Sequence, residues 1–340
     1  MNPPQIIIQP VVPRPATPSY VEHGGELSNR HPAAAENARM YGFVIEADGD
    51  RLDDWCDVCL NEPSGGAENW RAAGDFVLLD FIDIPTLHSV DPLDAQLGST
   101  SEHEVALWMP VVDWQRGRTA WAIPYIWVDS GYAMAGGRET YGFPKQLGQP
   151  TIPRTGDAPD ALSLDVVTLE TFATTSTASA HRVVTAARPG AVQALDESWT
   201  DPAGALGDLL ALAGNTSPVA DFLFDPMGAL GAMAADSGTI VMFFADLVRR
   251  SLPVVLLKQF RDAVRPGLAC YQGIIEVATR LDQFQRGGFL PADYQVTFEE
   301  LAGQPVHREL GLSTGPLTPP VAFWLEFDFT VLLGRVLWEA

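Results

Sequence analysis

The chain has 340 residues, of which 46% are hydrophobic and 19% are charged, a composition that is typical of a globular protein and excludes a disordered or fibrous one. Its 43 acidic residues against 21 basic ones give a formal net charge of −22, which disfavours binding to nucleic acid and to anionic membrane surfaces. Because the same field repels an anionic substrate, a pocket for such a substrate needs local positive charge.

The N-terminal part of the chain predicts an arm, a strand and a helix. Residues 1–20 contain six prolines, which favour an extended arm over a helix. Met40 to Ala47 has the character of a strand, and Asp48 can cap a helix whose apolar residues recur at helical spacing as far as Leu60. We expect one β domain over residues 21–340.

Strand signals dominate the rest of the chain, because apolar runs of strand length are separated by Gly, Pro and Asp. In the last of these runs, apolar and polar residues alternate with the period of two that a strand requires. The fold class is therefore mainly β (α+β), with a large antiparallel sheet that forms a barrel or a sandwich. The predicted strands after the first are Phe76–Ile84, Glu104–Val112, Thr119–Val128, Leu162–Phe172, His181–Ala187, Pro253–Phe260, Tyr271–Leu281, Tyr294–Glu299 and Val321–Val331.

Residues 201–250 interrupt the strand pattern, because their apolar residues follow the helical period. We predict a helical insertion between strands. Within it, Met227 to Val248 is rich in apolar residues, but Asp236 and Asp246 interrupt the run, so we interpret it as a helix of a soluble protein and expect no membrane span.

Lysine is scarce, since Lys145 and Lys258 are the only two beside 19 arginines, and both lie among apolar residues. Desolvation disfavours the ammonium form, so a buried lysine can lose its proton and attack a ketone. The resulting iminium is an electron sink that lets a neighbouring carbon–carbon bond break. The alternative is a lysine that merely extends its amine to water, which we favour for Lys258.

The residues before Lys145 form a specific motif, Gly137-Arg138-Glu139 followed by Gly142-Phe143-Pro144-Lys145. This motif resembles the signature of the acetoacetate decarboxylase-like superfamily, in which the final lysine forms a Schiff base with the substrate. The similarity extends over about residues 40–335, through Glu104-Val105, Pro110-Val111, Ile123 to Asp129 and Val255 to Gln259. The helical insertion and the Pro-rich arm are unusual for the superfamily.

The resemblance implies a twisted antiparallel sheet that forms a cone-like β-barrel, assembly into a homo-oligomer, no cofactor, and Lys145 as the nucleophile. It also makes Glu104 the active-site glutamate. A glutamate there can shuttle a proton if partial burial raises its pKa. The alternative for Glu104 is a carboxylate in solvent at the end of a strand.

One departure from the superfamily concerns the residue after the nucleophile, where the decarboxylases carry a second lysine and this chain has Gln146. We therefore expect burial to activate the amine of Lys145, with Arg138 as a candidate helper. Superfamily members without the second lysine resemble aldolase-dehydratases, which condense an oxo acid such as pyruvate with an aldehyde.

The substrate carboxylate is expected to be held by an arginine through a two-pronged hydrogen bond, and the candidates are Arg39 and Arg138. Arg138 can instead fix the lysine loop. Tyr132 and Tyr141 can supply a hydroxyl to the reacting oxygen or serve in packing. Together with Gln146, these residues form the predicted substrate-binding set.

Other motifs in the chain are weak. Cys56 and Cys59 have redox-motif spacing, but they lie on the apolar stripe of a predicted helix, so we expect core thiols. The six histidines include no close pair at metal-ligand spacing, and no nucleotide motif is present, so neither a metal nor a cofactor is expected. The few cysteines and the absence of a leader pattern predict a cytoplasmic protein.

Two functional hypotheses remain open. The first is a carbon–carbon lyase in which Lys145 forms a Schiff base with a small 2-oxo or 3-oxo acid, either as a decarboxylase or as an aldolase-dehydratase. The second is a β-barrel that binds or senses a small oxo acid without catalysis. Chemical trapping of the imine separates the two hypotheses.

Overall fold

The computed structural model describes residues 19–21, 30–212 and 235–340. These residues form two sheets, one of ten strands and one of four. In chain order the strands are β1 (Ala33–Glu46), β2 (Arg71–Ala72), β3 (Phe76–Ser89), β4 (Thr100–Asp113), β5 (Arg118–Val128), β6 (Lys145–Leu147), β7 (Gln149–Thr151), β8 (Ala161–Thr168), β9 (Ser179–Ala187), β10 (Leu252–Arg261), β11 (Ala269–Phe289), β12 (Gln295–Phe298), β13 (Ala322–Val331) and β14 (Arg335–Glu339).

Seven strands of the larger sheet close into a barrel. Their order is β4-β3-β1-β13-β11-β10-β5, and β5 pairs with β4 to complete the ring. The predicted barrel is therefore confirmed, but its sheet is not purely antiparallel. β10 pairs with β5 in parallel through Val254 and Trp121, and β6 runs parallel to β5. A parallel neighbour needs a crossover connection, and helix α2 (Gly131–Thr140) provides it between β5 and β6.

The barrel strands are apolar on both faces because each face packs against a separate core. Met40 and Val44 of β1 point into the barrel interior, whereas Tyr41, Phe43 and Ile45 point to the outside. The outer core lies between the barrel and the smaller sheet, whose strand order is β12-β9-β8-β7. Alternation along the strand thus decides which residues can reach a site inside the barrel.

The described helices cap the barrel and connect its strands. Helix α1 (Gly49–Cys56) begins at Asp48, whose carboxylate accepts the backbone N–H groups of Asp50 and Arg51, as predicted. It continues as a π-helical turn, Asp57–Asn61. The remaining helices are α3 (Pro202–Leu212), α4 (Ala235–Arg249) and α5 (Val306–Leu310), with a short 3₁₀ turn at Ala95–Leu97.

Helix α4 fills part of the barrel interior. The ring of Phe243 packs against Trp121 and Phe323, with centroids 6.0 and 5.8 Å away. The buried carboxylate of Asp246 accepts the indole N–H of Trp121 at 3.0 Å, and burial raises the pKa of Asp246 to about 6. This helix therefore closes one end of the space inside the barrel.

Parts of two predicted segments lie outside the described residues. Helices α3 and α4 fall within the insertion predicted at 201–250, whose residues 213–234 are not among those described. The same applies to residues 1–18 of the predicted arm. In the ranges that are described, no helix combines the length and the apolar character needed to cross a bilayer.

Candidate active site

The barrel interior contains a cavity of about 140 Å³. Strands β1, β3, β4, β5, β10, β11 and β13 contribute to its wall, together with α2 and α4. Most of the lining side chains are apolar, and the titratable ones include Lys145, Glu102, Glu104, Asp80 and His31. A concave, mostly apolar pocket with a few converging polar groups is the usual form of a small-molecule site.

The glycines of the lysine motif position the side chain of Lys145. Gly142 follows α2 with a φ of 89°, and a Cβ there would lie 2.5 Å from the Cα of Lys258, so this turn requires glycine. Gly137 lies on the face of α2 that meets the lysine, where a Cβ would lie 2.9 Å from Cδ of Lys145. The ammonium lies 5.9 Å from the centre of the Phe143 ring. The motif thus lays the aliphatic stem of Lys145 along α2.

Two carboxylates of β4 contact the amine of Lys145. Its Nζ donates a hydrogen bond to Oε1 of Glu102 at 2.6 Å and lies 3.3 Å from Oε2 of Glu104. The two glutamates are two residues apart in one strand, so their side chains share the inward face. Both are buried, with exposed fractions of 2% and 8%.

The carboxylates determine the charge state of the lysine. Burial opposes the ammonium form, but Glu102 and Glu104 together outweigh it, and the pKa of Lys145 rises above its usual 10.5. Burial therefore does not by itself free the amine of Lys145, contrary to the expectation that burial, with Arg138 as a helper, activates it. Burial, opposed by Lys145 and reinforced by Glu102, raises the pKa of Glu104 from 4.5 to about 7.

Asp80 and His31 complete the titratable cluster. The carboxylate of Asp80, on β3, accepts the backbone N–H of Ala106 and the indole N–H of Trp108, both at 2.8 Å. Burial and then the charge of Glu104 raise its pKa well above 3.8. Burial and then Lys145 lower the pKa of His31 to about 4. Both shifts favour the neutral forms of Asp80 and His31.

Residues 70–194 match the family model described as acetoacetate decarboxylase (ADC), a range that includes Lys145 and its carboxylate partners. The chain is similar over 95% of its length to acetoacetate decarboxylase from Legionella pneumophila subsp. pneumophila str. Philadelphia 1, with 92% of that chain covered, a TM-score of 0.57 and 14% identity. The chain has the acetoacetate decarboxylase-like fold. The resemblance found in the lysine motif is thereby confirmed at the level of fold and family match.

Two further solved structures share the acetoacetate decarboxylase-like fold. An acetoacetate decarboxylase-like enzyme from Sphingomonas wittichii RW1 has a TM-score of 0.53 and 11% identity, covering 94% of this chain and 98% of that one. The enduracididine biosynthesis enzyme MppR, complexed with pyruvate, has a TM-score of 0.50 and 16% identity, with 91% of both chains covered. No curated protein sequence matches this chain significantly.

Of the predicted site residues, the structure brings Lys145, Glu104, Tyr132 and Tyr141 to the cavity. The hydroxyl of Tyr141 donates to the carbonyl of Leu332 at 2.6 Å, so it is engaged with the backbone. Burial raises the pKa of both tyrosines. Tyr132 is therefore the better placed of the two to offer its hydroxyl to a ligand.

Three predicted substrate-binding residues do not line the cavity. Arg39 lies on the outward face of β1, where its guanidinium Nε donates to Glu326 at 2.9 Å. Arg138 is exposed and donates from Nη1 to the carbonyl of Lys145 at 3.1 Å, so it holds the lysine loop, the alternative considered from the sequence. Gln146 follows Lys145 in β6 and faces the other way, accepting a hydrogen bond from Gln304 at 2.8 Å.

Glu102, Asp80 and His31 line the cavity but are not among the residues predicted from the sequence. The strand β4 was predicted to begin at Glu104, but it begins at Thr100, which pairs with Leu87 of β3. A Glu-x-Glu spacing in a strand puts both carboxylates on one face, and that signal was available. Asp80, one of two carboxylates in a strand predicted from an apolar run, is a second such signal. Nothing in the sequence pointed to His31.

The remaining chemical candidates do not form a site. Cys56 and Cys59 are free thiols on the helical segment that follows β1, and burial raises the pKa of both, that of Cys59 to about 12. Across the described residues, no three His, Cys, Asp or Glu side chains are arranged to hold a metal ion.

Proposed function

We propose that the protein is a carbon–carbon lyase in which Lys145 forms a Schiff base with a 2-oxo or 3-oxo acid. The observation that carries the proposal is the buried amine of Lys145, in contact with Glu102 and Glu104 at the wall of an apolar cavity. The acetoacetate decarboxylase-like fold and the family match over residues 70–194 support it.

Imine formation begins with the loss of a proton from Lys145. Glu102 is the nearest acceptor, because its Oε1 lies 2.6 Å from Nζ. The transfer converts an ion pair into a neutral amine and a neutral acid, and a desolvated cavity favours neutral groups. Entry of a substrate that excludes water from the site promotes this transfer.

The free amine then attacks the carbonyl carbon of the substrate. As the nitrogen–carbon bond forms, the carbonyl oxygen takes up a proton and a carbinolamine results. Glu104, with a pKa of about 7, is partly protonated at neutral pH and can supply the proton that lets the hydroxyl leave as water. The product is a protonated imine on Lys145.

The position of the substrate carboxylate decides the next step. In a 3-oxo acid, the bond to the carboxylate breaks, its electrons move into the iminium to give an enamine, and carbon dioxide leaves. Glu102, which holds the proton taken from Lys145, then protonates the enamine carbon, and water releases the ketone as Glu104 takes up a proton from the attacking water. In a 2-oxo acid, the iminium instead acidifies C3, a carboxylate accepts that proton, and the enamine carbon can attack an aldehyde.

The second candidate function is binding or sensing of an oxo acid without catalysis. It is favoured by the raised pKa of Lys145, since an ammonium held by two carboxylates is not a nucleophile. The two candidates differ in whether the ligand triggers proton transfer within the Lys145–Glu102 pair.

Trapping with borohydride tests the proposal. Incubation with pyruvate or acetoacetate and borohydride should reduce the imine to a secondary amine and add one substrate-derived mass at Lys145. Lys258, whose Nζ donates to the carbonyl of Thr140 at 3.1 Å, is the internal control. Lys145→Arg keeps the positive charge but cannot deprotonate, so it should abolish both the adduct and turnover.

The outcome separates the candidates. Equal labelling of the two lysines, or turnover that survives in Lys145→Arg, would contradict the Schiff-base mechanism. Binding of the acids without any adduct would favour the sensing protein. Release of carbon dioxide from a 3-oxo acid, against condensation with an added aldehyde, then distinguishes decarboxylase from aldolase-dehydratase.

A further inference from the structure

Helix α4 contributes two apolar side chains to the wall of the cavity, Phe243 and Leu247. They are four residues apart, so they project from the same face of the helix, and both are buried. Elsewhere the wall is mixed, because polar side chains line it among the apolar ones. Besides Lys145, Glu102 and Glu104, these polar side chains include Asp80, His31, His88, Ser89, Tyr132 and Thr279. The part of the wall that α4 forms through Phe243 and Leu247 is therefore apolar.

Contacts on both sides of Phe243 hold α4 in place. Towards the end of the helix, the carboxylate of Asp246 accepts the indole N–H of Trp121 at 3.0 Å. Nearer its start, the hydroxyl of Thr239 donates to the backbone carbonyl of Phe76, at the beginning of β3, at 3.3 Å. Because Phe243 lies between these two contacts, the helix cannot move away from the cavity without breaking one of them.

The ring of Phe243 has packed side chains behind it. Its centroid lies 6.0 Å from that of Trp121 and 5.8 Å from that of Phe323. Neither of these residues lines the cavity, and both are fully buried. Because a closely packed interior has little space to receive a displaced ring, a ligand that reaches Phe243 meets a fixed boundary.

The whole cavity is small. It has about 140 Å³, which includes the space beside Lys145, Glu102 and Glu104. An apolar protein cavity of about 150 Å³ accommodates benzene, so the complete ligand is about the size of that molecule. The space left for an acyl chain after the oxo acid group is placed is therefore short.

We infer that Phe243 is a specificity-determining residue whose ring ends the substrate site and limits the length of the acyl chain. The inference rests on the proposed function for the identity of the ligand as an oxo acid. It rests on helix α4 for the position of the limit. Enlarging the site at residue 243 should therefore admit longer acids without any change at Lys145.

Phe243→Ala tests the limit directly. The change removes the six carbon atoms of the ring, and because a core relaxes only partly around such a deletion, space remains beside the cavity. Calorimetry with saturated carboxylates of four, six and eight carbons, which cannot form an imine, measures the affinities. Each methylene that enters the new space should raise the affinity about fourfold, the equivalent of about 0.8 kcal/mol. The ratio of the eight-carbon to the four-carbon affinity should rise at least tenfold over that of the wild type.

Phe244→Ala is the matched control. Phe244 follows Phe243 in the same helix and is equally buried, but it does not line the cavity, and its ring packs against Trp199 with centroids 5.2 Å apart. The ratio of affinities should therefore be that of the wild type. Thermal unfolding shows whether both variants fold. Phe243→Leu and Phe244→Leu, which remove less volume, give the same comparison with a smaller shift if an alanine variant does not fold.

Borohydride trapping with 2-oxo acids of the same lengths separates this inference from the Schiff-base proposal. A shift to longer acids in the Phe243 variants alone, in both the affinities and the rate of adduct formation at Lys145, supports both. The same shift in affinity without an adduct from any acid supports the role of Phe243 and defeats the Schiff base. No shift, or an equal shift in the Phe244 variants, overturns the inference, and an adduct at Lys145 then leaves the lyase proposal standing.

Discussion

Replacement of Glu104 by glutamine should change how the stability of the protein depends on pH. The pKa of Glu104 is raised from 4.5 to about 7, mainly by burial. A carboxyl with a raised pKa contributes stability below its unfolded pKa and loses it as pH rises through the folded value. In the wild type, this residue should therefore make folding progressively less favourable between pH 4.5 and pH 7.

The size of the effect follows from the pKa values. A rise from 4.5 to about 7 corresponds to about 3 kcal/mol, at about 1.4 kcal/mol for each pKa unit. The glutamine introduced by Glu104→Gln has nearly the same shape as a protonated glutamate, but it does not titrate. The free energy of unfolding of the variant, minus that of the wild type, should thus increase by about 3 kcal/mol between pH 4.5 and pH 8.

Denaturant unfolding at half-unit steps of pH measures this difference directly. Titrating groups that do not interact with Glu104 contribute equally to both proteins, so they cancel when the two curves are subtracted, whereas Asp80 and Lys145 contribute to the difference. Glu170→Gln, at an exposed glutamate, is the matched control for the loss of one carboxylate. Parallel curves for Glu104→Gln and wild type would refute the assignment of a raised pKa to Glu104.

Three further predictions concern the same site. Glu104→Gln should leave the borohydride adduct detectable while slowing turnover by roughly 10²- to 10⁴-fold, the usual scale of general acid–base catalysis, and unchanged turnover would remove Glu104 from the mechanism. Glu102→Gln should lower the pKa of Lys145, because Glu102 raises it. The rate of adduct formation, measured against pH, should therefore reach its midpoint at a lower pH. The maximal rate should be smaller, because the proton acceptor is lost. Gly142→Ala should destabilise the protein by about 1–3 kcal/mol, because residue 142 has a φ of 89°. The control is Gly156→Ala, where no atom lies within 4 Å of the added Cβ, and it should change the stability by less. Equal thermal unfolding of the two variants would contradict backbone strain at position 142.

Local patterns in the sequence predicted the strands but left a barrel or a sandwich open, and the resemblance to the superfamily implied the barrel. Apolar runs of strand length predicted every strand of the closed ring, because each strand buries both faces and the intervening Gly, Pro and Asp mark its ends. Lys145 was found because its motif needs glycine at Gly137 and Gly142, where a side chain would collide with Lys145 and with the backbone of Lys258. Such close approaches can be recognised in the sequence, because only glycine fits at these positions.

Pairing across strands was not predictable in the same way. Arg39 was expected at the substrate, yet it shares the outward face of β1 with Tyr41 and pairs with Glu326 of β13. Which face of a strand is the interior depends on the register of its neighbours, and a shift of one residue exchanges the two faces. Glu102 was missed for a related reason, since the start of β4 is fixed by its pairing with β3.

The position after Lys145 shows why geometry matters more than the identity of the residue there. Successive residues of β6 point to opposite faces, so Lys145 faces the cavity and Gln146 faces the outer core. There Gln146 accepts a hydrogen bond from Gln304, whose own oxygen accepts the indole N–H of Trp127 at 3.1 Å. A lysine at this position would extend away from the amine of Lys145. Glutamine at position 146 therefore does not decide the charge state of that amine, because Glu102, Glu104 and burial set the pKa of Lys145.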